Sequence, residues 1–522
     1  MILSTCAAVI VAVGCSDTDD GSANNMGPGS SVLVPGMTNT MQAPIGDTNN
    51  IVEPCSGASC PCQSGLTACG AGCVDLTRDA LHCGACSTPC ATGQLCQGGQ
   101  CVDPSPAASG SDAAGTGGAG SGSAGTGGAG AGSAGSGGAG SGSAGGESKA
   151  GGASALAAQY PCDGGTAGYD VVVTGGGNDW TITGTGGDAS ITTGLQSAIE
   201  SAYGRLSGSA GNNATLLVQG DGTVDASAQL RMPSYMLLNV CGTVDVTGTA
   251  SGSDRSPFYA RDRTDIQIPN LTLTGNAQYG MFFRDVSNLH LGDIHIDGTG
   301  GLGIRIDSHG SNDRNNTTNI TIDHVHVENT GGHGVELYGA DGVEIGTVVA
   351  RSTGDCGLIL NDSINATIGL VDAVDAAHVG TGYAAFRTAN DNGRYDDGSY
   401  PTNIRLGELR ASGAAAGRGF FCVSRSGGVE IERFTVDGVG GDPAIFIENC
   451  YNVTVASASG SGALIGGRAY IGHNSGNGDA SRDVTFQNIT LSGGATVESN
   501  GATCGRNNQA INVTGGSVDV CN

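Results

Sequence analysis

Lysine and tryptophan are almost absent from this chain of 522 residues, which contains only Lys149 and Trp180. Basic residues number 21 against 48 acidic ones, and the formal net charge is −27. Because nucleic-acid phosphates and anionic lipid headgroups attract basic surfaces, this balance argues against nucleic acid as a partner and against electrostatic docking on membranes. The chain also lacks an apolar run long enough for a membrane-spanning helix. Its 95 glycines follow no Gly-X-Y repeat, which excludes a collagen-like fold.

The N-terminal residues 1–15, MILSTCAAVIVAVGC, form a short apolar run that ends in small residues and a cysteine. This run is too short to span a bilayer and is typical of an export signal. Its last four residues resemble a bacterial lipobox, which implies lipidation of Cys15 and, because Ser16 follows, sorting to the outer membrane. The alternative is a cleaved signal peptide with an incidental cysteine. Residues 16–54 are polar and aperiodic, so we expect them to form a disordered linker.

Residues 55–101 contain ten cysteines. This dense, even count behind an export signal predicts a small disulfide-bonded module, because so short a segment cannot build a sufficient core. Metal binding is the alternative, since Cys83 and Cys86 have the spacing of metal ligands. The run GLTACGAGCVDLTRDALHCGACSTPCATGQLCQGGQC resembles the stigma-specific cysteine-rich family and similar modules on myxobacterial surface proteins, and the resemblance covers residues 64–101. Residues 102–155 are almost pure Gly, Ser and Ala, which predicts a flexible linker.

Short alternating segments of Val, Ile and Leu recur throughout residues 156–522. The units NITIDHVHVENTGGHGVELY and GVEIGTVVARSTGDCGLILN align without gaps, and each contains alternating strands and no helical period. The repeats begin at Leu289, Ile320, Val343, Thr367, Ile404, Val429 and Val453. Most intervals are 23–25 residues, which predicts one coil of a solenoid per repeat, with loop insertions in the two longer intervals. The domain resembles the right-handed parallel β-helix of the pectin lyase-like superfamily, which implies an all-β fold.

One amphipathic helix is predicted in this domain, over residues 191–206. We expect it to cap the N-terminal end of the stack, where an open strand edge would otherwise invite association. The domain has seven cysteines, so at least one is unpaired or intermolecular. Cys422 and Cys450 fall on successive coils and either pair or stack inside. Cys504 and Cys521 are expected to close the C-terminal end.

Strand alternation places two columns of outward side chains on the third strand of each coil. In this alignment Asp307 and Glu336 lie on neighbouring coils, which puts their carboxyls roughly 5–9 Å apart. Retaining and inverting glycosidases use carboxyl pairs at such separations. We therefore predict Asp307 and Glu336 as catalytic, with Asp362, one coil further on, as a substitute for either. The same alignment places Ala385 in the first column and Arg387 in the second.

Other candidate residues lie beside this face and in the insertions that follow the third strand. The segment TGGHGVE looks like the Gly-His-Gly motif of the polygalacturonases, glycoside hydrolase family 28, which implies a site role for His333. Loops 308–318 and 387–402 carry polar and aromatic residues and are expected to form the walls of a groove. The predicted substrate-binding residues are Arg305, His309, His333, Tyr338, Arg387, Asn390, Asp391, Arg425 and Glu448.

The scarcity of lysine also bears on a lyase reaction. Because the only lysine lies in the linker, a β-elimination mechanism in the β-helix would need an arginine as its base. The candidate bases are Arg305, Arg387 and Arg425. Ca²⁺ would then help to neutralise a uronate. Its candidate ligands are Asp391, Asp396 and Asp397. The acidity of the chain favours a neutral glycan over a polyuronate.

Three functional hypotheses follow. The first is an exported polysaccharide-degrading glycoside hydrolase that uses the carboxylate pair and needs no cofactor or metal. The second is a polysaccharide lyase with an arginine base and Ca²⁺. The third is a non-catalytic surface adhesin that binds glycans. In each, we expect a monomer that is secreted or held at the outer membrane only by an N-terminal lipid.

Overall fold

The computed structural model divides the chain into two units, residues 1–138 and 139–522. The described residues are 154–249, 255–308, 316–413, 417–501 and 505–521, with short pieces between 67 and 102. Several predictions lie outside them: the signal segment with Cys15, both linkers up to residue 153, His309 and Cys504. Among the described residues, no helix is long and apolar enough to cross a membrane.

The described part of the first unit consists of two short antiparallel strand pairs. Their strands are β1 (Thr67–Cys69), β2 (Gly72–Val74), β3 (Leu95–Gln97) and β4 (Gln100–Val102). β1 pairs with β2, and β3 with β4. Cys83, Cys86 and Cys101 are disulfide-bonded. The two cysteines with metal-ligand spacing are therefore oxidised, as the disulfide prediction requires.

The second unit is a stack of short strands with two helices near its start, α1 (Ala155–Gln159) and α2 (Leu195–Tyr203). The strands at its N-terminal end are β5 (Val171–Gly176), β6 (Asp179–Gly184), β7 (Ala189–Ile191), β8 (Ala214–Gln219), β9 (Gly222–Asp225), β10 (Leu230–Arg231), β11 (Met236–Cys241) and β12 (Thr243–Thr247). The strands in the middle are β13 (Phe258–Asp307), β14 (Thr318–Thr330), β15 (Val335–Tyr338), β16 (Asp341–Arg351), β17 (Leu358–Asn361), β18 (Ile364–Val374), β19 (Ala384–Ala389), β20 (Ile404–Ser412), β21 (Arg418–Cys422) and β22 (Gly427–Asp437). The last strands are β23 (Ile445–Glu448), β24 (Tyr451–Val455), β25 (Ser461–Ile465), β26 (Arg468–Gly472), β27 (Arg482–Gln487), β28 (Ile489–Ser492), β29 (Thr496–Ser499), β30 (Gln509–Ile511) and β31 (Ser517–Asp519).

Each strand of the regular stack pairs in parallel with its equivalent one coil away, as β14 does with β16 and β16 with β18. The chain therefore forms the predicted right-handed parallel β-helix. Its inward positions form one continuous core of mostly Val, Ile, Leu and Ala side chains. The C-terminal end of β13 and strands β15, β17, β19, β21, β23, β26 and β29 form one face, called here the third sheet.

Helix α2 closes the N-terminal end of the stack, as predicted, but is shorter than the predicted segment. It buries Leu195, Ala198, Ile199 and Ala202 and packs against β5, β6, β9 and β10. This apolar face follows the helical period, which explains why the sequence revealed the helix. The sequence did not reveal α1, which has only five residues.

A left-handed corner explains the Asn or Gly that opens most of the repeats. Asn288, Asn319 and Asn365 have φ values of 54°, 56° and 55°, and Gly342 has 76°. This left-handed conformation costs little for Gly and is tolerated by Asn. The asparagines also bond along the stack, because Asn319 Nδ2 donates to Asn288 Oδ1 at 3.1 Å.

Two disulfides join pairs of described residues in the β-helix, and Cys521 is also disulfide-bonded. One links Cys162 to Cys241 and the other Cys422 to Cys450, so the second pair bonds rather than merely stacks. Cys356 is free and buried. It supplies the unpaired thiol that the odd cysteine count predicts.

Candidate functional site

The third sheet carries a continuous outward column of polar and aromatic side chains. In register it reads Arg305, Glu336, Ile359, Arg387, Phe421, Phe446, Tyr470 and Glu498. The sequence alignment was wrong by two residues at β19, because Arg387, not Ala385, occupies the first column. The physical reason is the core, where Phe386 stacks on Phe420 with ring centroids 5.5 Å apart.

A network of arginines and carboxylates occupies the N-terminal coils of this sheet. Asp307 is fully buried and accepts hydrogen bonds from Arg284 Nε and Nη2 at 2.7 and 2.9 Å and from Arg305 Nε at 2.6 Å. Arg305 Nη1 donates to Glu336 Oε2 at 2.9 Å. The two predicted catalytic carboxylates are therefore on neighbouring coils, with one guanidinium bridging them.

The network continues through amides to the end of β19. Asn361 Nδ2 donates to Glu336 Oε1 at 2.9 Å, and Asn390 Nδ2 donates to Asn361 Oδ1 at 3.1 Å. Tyr338 lies next to Asn361 in register, and burial together with the charge of Asp362 raises the pKa of its hydroxyl. Asp362 itself is a corner residue with a φ of 44°, just beyond β17.

His333 lies immediately before β15 and is held in one orientation. The backbone N–H of Cys356 donates to its Nδ1 at 3.0 Å, so in the neutral ring the proton must be on Nε2. Burial lowers the pKa of His333, and this favours the neutral ring. The ring contacts Tyr383 edge to face, with centroids 5.6 Å apart. His333 is therefore suited to donate a hydrogen bond from Nε2.

Two arginines flank the aromatic part of the column. The guanidinium carbons of Arg387 and Arg418 lie 5.4 and 4.9 Å from the centroid of Phe421. Arg418 is only 7% exposed, and its Nε and Nη1 have no hydrogen-bond partner; neither does Nε of Arg387. Burial lowers the pKa of Arg418 to about 10. The guanidinium carbon of Arg387 also lies 5.5 Å from the ring centroid of Tyr383, and this is the ring that His333 contacts.

The remaining predicted residues lie at the edge of this face. Arg425 donates to both carboxylate oxygens of Asp391, from Nε at 3.0 Å and from Nη2 at 2.8 Å, so these two residues pair with each other. Asp397 accepts a hydrogen bond from the backbone N–H of Ser399, which lowers its pKa. Glu448 ends β23, and burial raises the pKa of its carboxyl.

Tyr383 and Arg418 were missed by the sequence reasoning. Tyr383 immediately precedes β19, and Arg418 is the first residue of β21. An alignment that matched Phe386 to Phe420 would have placed Arg387 in the same column as Glu336, between Ile359 and Phe421, and pointed to the residues at the start of each strand.

The match to a family model agrees with this fold. The family model of the right-handed beta helix region matches residues 236–370. No curated protein sequence matches this chain. Among solved structures, the A-module of mannuronan C-5 epimerase AlgE6 from Azotobacter vinelandii is 13% identical and covers 63% of this chain and 95% of its own, with a TM-score of 0.23. The surface protein and adhesin PfbA of Streptococcus pneumoniae is 10% identical and covers 62% and 93%, with a TM-score of 0.20.

Proposed function

We propose that the protein binds acidic polysaccharide along the third sheet and cleaves it by β-elimination. One observation carries this proposal: among the described residues, Arg387 and Arg418 have no carboxylate partner, in a chain of net charge −27. A partly buried guanidinium without a counter-charge is costly. The carboxylate of a uronate sugar would supply that charge through charge-assisted hydrogen bonds. The local arginines thus favour an acidic glycan, although the net charge of the whole chain favours a neutral one.

Hydrolysis by the predicted carboxylate pair suits this geometry less well. Both oxygens of Asp307 accept hydrogen bonds from arginines, and its side chain has no exposed surface. Glu336 accepts from Arg305 on one oxygen and from Asn361 on the other. A general acid or base must come within hydrogen-bond reach of the substrate. Asp307 cannot do so without breaking the network, and Glu336 is only 6% exposed and already accepts one hydrogen bond on each oxygen.

Elimination suits the groups beside Arg387. In the proposed step, Arg387 binds the substrate carboxylate, which stabilises the charge that develops when the neighbouring carbon loses its proton. In this proposal Tyr383, as the phenolate, replaces the arginine base expected from the sequence, because its ring lies against both His333 and Arg387. The phenolate oxygen takes that proton, the C–H electron pair forms the C=C bond, and the glycosidic C–O bond breaks. Tyr383 then returns the proton to the departing oxygen. The neutral His333 donates a hydrogen bond from Nε2 within the site. No lysine and no metal is required for this step.

The test is a panel of acidic and neutral polysaccharides, with products followed by ultraviolet absorbance and by reducing ends. We expect unsaturated, ultraviolet-absorbing products from an acidic polymer, and we expect Tyr383→Phe to abolish them while leaving binding intact. Tyr395→Phe, a change of another tyrosine outside the third sheet, is the matched control. New reducing ends without ultraviolet absorbance would identify a hydrolase instead. Binding without any product would identify an adhesin.

We also propose that the protein acts outside the cytoplasm, anchored through Cys15. The disulfides Cys162–Cys241 and Cys422–Cys450 support export, because such bonds persist in oxidising compartments. A flexible linker over residues 102–155 would let the β-helix reach a polymer at some distance from the membrane.

A further inference from the structure

A cluster of histidines lies on a different sheet from the proposed polysaccharide site. β13 and β14 pair in a register that places His295 beside His326, and their rings stack with centroids 4.8 Å apart. These two residues and His324 help to line a pocket of about 430 Å³. The proposed function uses none of these groups.

The donor atoms of this cluster are close together, and one of them lacks a partner. His295 Nε2 lies 3.2 Å from Glu328 Oε1. One ligand atom from each of His295, His326 and Glu328 lies within 4.8 Å of the other two. His326 Nε2 is buried and has no hydrogen-bond partner. Because buried polar atoms are almost always bonded, this nitrogen points to a ligand.

We propose that His295, His326 and Glu328 bind a divalent transition metal, with zinc as the best fit. Two imidazoles and a carboxylate form a ligand set that zinc accepts. In a tetrahedral zinc site, neighbouring ligand atoms are about 3.4 Å apart, so modest rotations of the partly exposed side chains would close the site. Arg351 lies beside Glu328 in register, and its charge is paired with Asp372 at 3.3 Å.

Three protein ligands leave a fourth metal position open. In zinc sites of this kind, the open position holds water or a ligand, and water bound to zinc is activated as a nucleophile. The pocket provides the room for such a group. One of its walls carries the Asp293–His324 pair, joined at 2.8 Å between Oδ1 and Nδ1. The metal site would therefore face a polar pocket rather than a closed core.

The test is a titration of the full chain, isolated with its disulfides intact and stripped by a chelator, with Zn²⁺ or Co²⁺ alone. Calorimetry gives the affinity, and the visible absorption of Co²⁺ reports its coordination. The variants are His326→Gln, His295→Gln and Glu328→Gln. His290→Gln is the matched control. His290 lies on β13, as His295 does, but its Nε2 is bonded to Asp323 of β14 at 2.9 Å and it is outside the cluster.

We expect one metal site in the unchanged chain and at least a tenfold weaker affinity in each cluster variant, since even changes behind the ligands of metal sites cost tenfold or more. The control should bind as the unchanged chain does. Equal affinity in the cluster variants, or no binding in the unchanged chain, would overturn the proposal. Because Glu328 is partly exposed, its variant decides the matter if a histidine variant fails to fold.

Discussion

The buried Asp307 provides the sharpest test of the third-sheet network. Its carboxylate accepts three hydrogen bonds from two arginines and has no exposed surface. Asp307→Asn removes the negative charge between Arg284 and Arg305 and turns an amide N–H toward one of them. Removing one partner of a buried ion pair costs about 3–5 kcal/mol. We expect a loss of about 3 kcal/mol in the free energy of unfolding, at the low end of this range. The reason is that Arg305 keeps its bond to Glu336 and Arg284 keeps its contact with the Phe282 ring.

The assay is urea unfolding followed by circular dichroism of the sheets. Fluorescence of Trp180 is less suitable, because this residue lies in β6 at the N-terminal end and solenoids can unfold in segments. Asp442→Asn is the matched control, since Asp442 is 67% exposed and pairs with Arg468 at the surface. A surface pair of this kind contributes less than about 1 kcal/mol. If Asp307→Asn lowers the free energy of unfolding no more than the control variant does, the reasoning is refuted and Asp307 is available for a catalytic role.

Three further predictions concern the disulfide, the histidine and the unpaired arginine. Replacing Cys422 and Cys450 together by serine should lower the free energy of unfolding by roughly 3–4 kcal/mol, because the bond closes a loop of 28 residues in the unfolded chain. Chemical unfolding measures this loss, and a loss below about 1 kcal/mol would show that other contacts hold these coils together. Burial lowers the pKa of His333 below its unfolded value, so its contribution to stability is present above about pH 6.5 and is lost as the pH falls. The difference between the unfolding midpoints at pH 7 and pH 5 should therefore be smaller in His333→Gln than in the unchanged chain. An equal difference would contradict this. Arg418→Met should leave the free energy of unfolding unchanged or higher, while calorimetry should show about tenfold weaker binding of an acidic oligosaccharide. The control Arg405→Met removes an arginine that is paired with Glu430 and should leave that binding unchanged. Equal effects of the two variants on binding would contradict the role of Arg418.

The repeat made the fold predictable, because one coil of a β-helix must repeat its inward positions and its corners. The left-handed corners at Asn288 and Asn319 repeat along the sequence, as do the buried strands. The capping helix was also readable, since α2 buries one face at the helical period. Loop insertions weakened the alignment at β19, where only the stacking of Phe386 on Phe420 fixes the register.

The candidate site was less predictable, because side-chain pairing decides which charges remain available. Asp307 and Glu336 were correctly placed on neighbouring coils, but the sequence does not show that Arg305 bridges them. It also does not show that Arg418 lacks a carboxylate partner, or that the Cys356 amide fixes the tautomer of His333. The contacts of Arg305 with Glu336 and of Cys356 with His333 join residues that are more than 20 positions apart.

Binding of an acidic oligosaccharide to the unchanged chain and to Arg387→Met tests the central claim most directly. Calorimetry should use the acidic oligosaccharide and a neutral one of the same length. We predict that the unchanged chain binds the acidic sugar and that Arg387→Met binds it at least about tenfold more weakly, since a charge-assisted hydrogen bond contributes about 1.5–3 kcal/mol. Equal binding of the two sugars, or unchanged affinity in Arg387→Met, would contradict an anion-binding site on the third sheet.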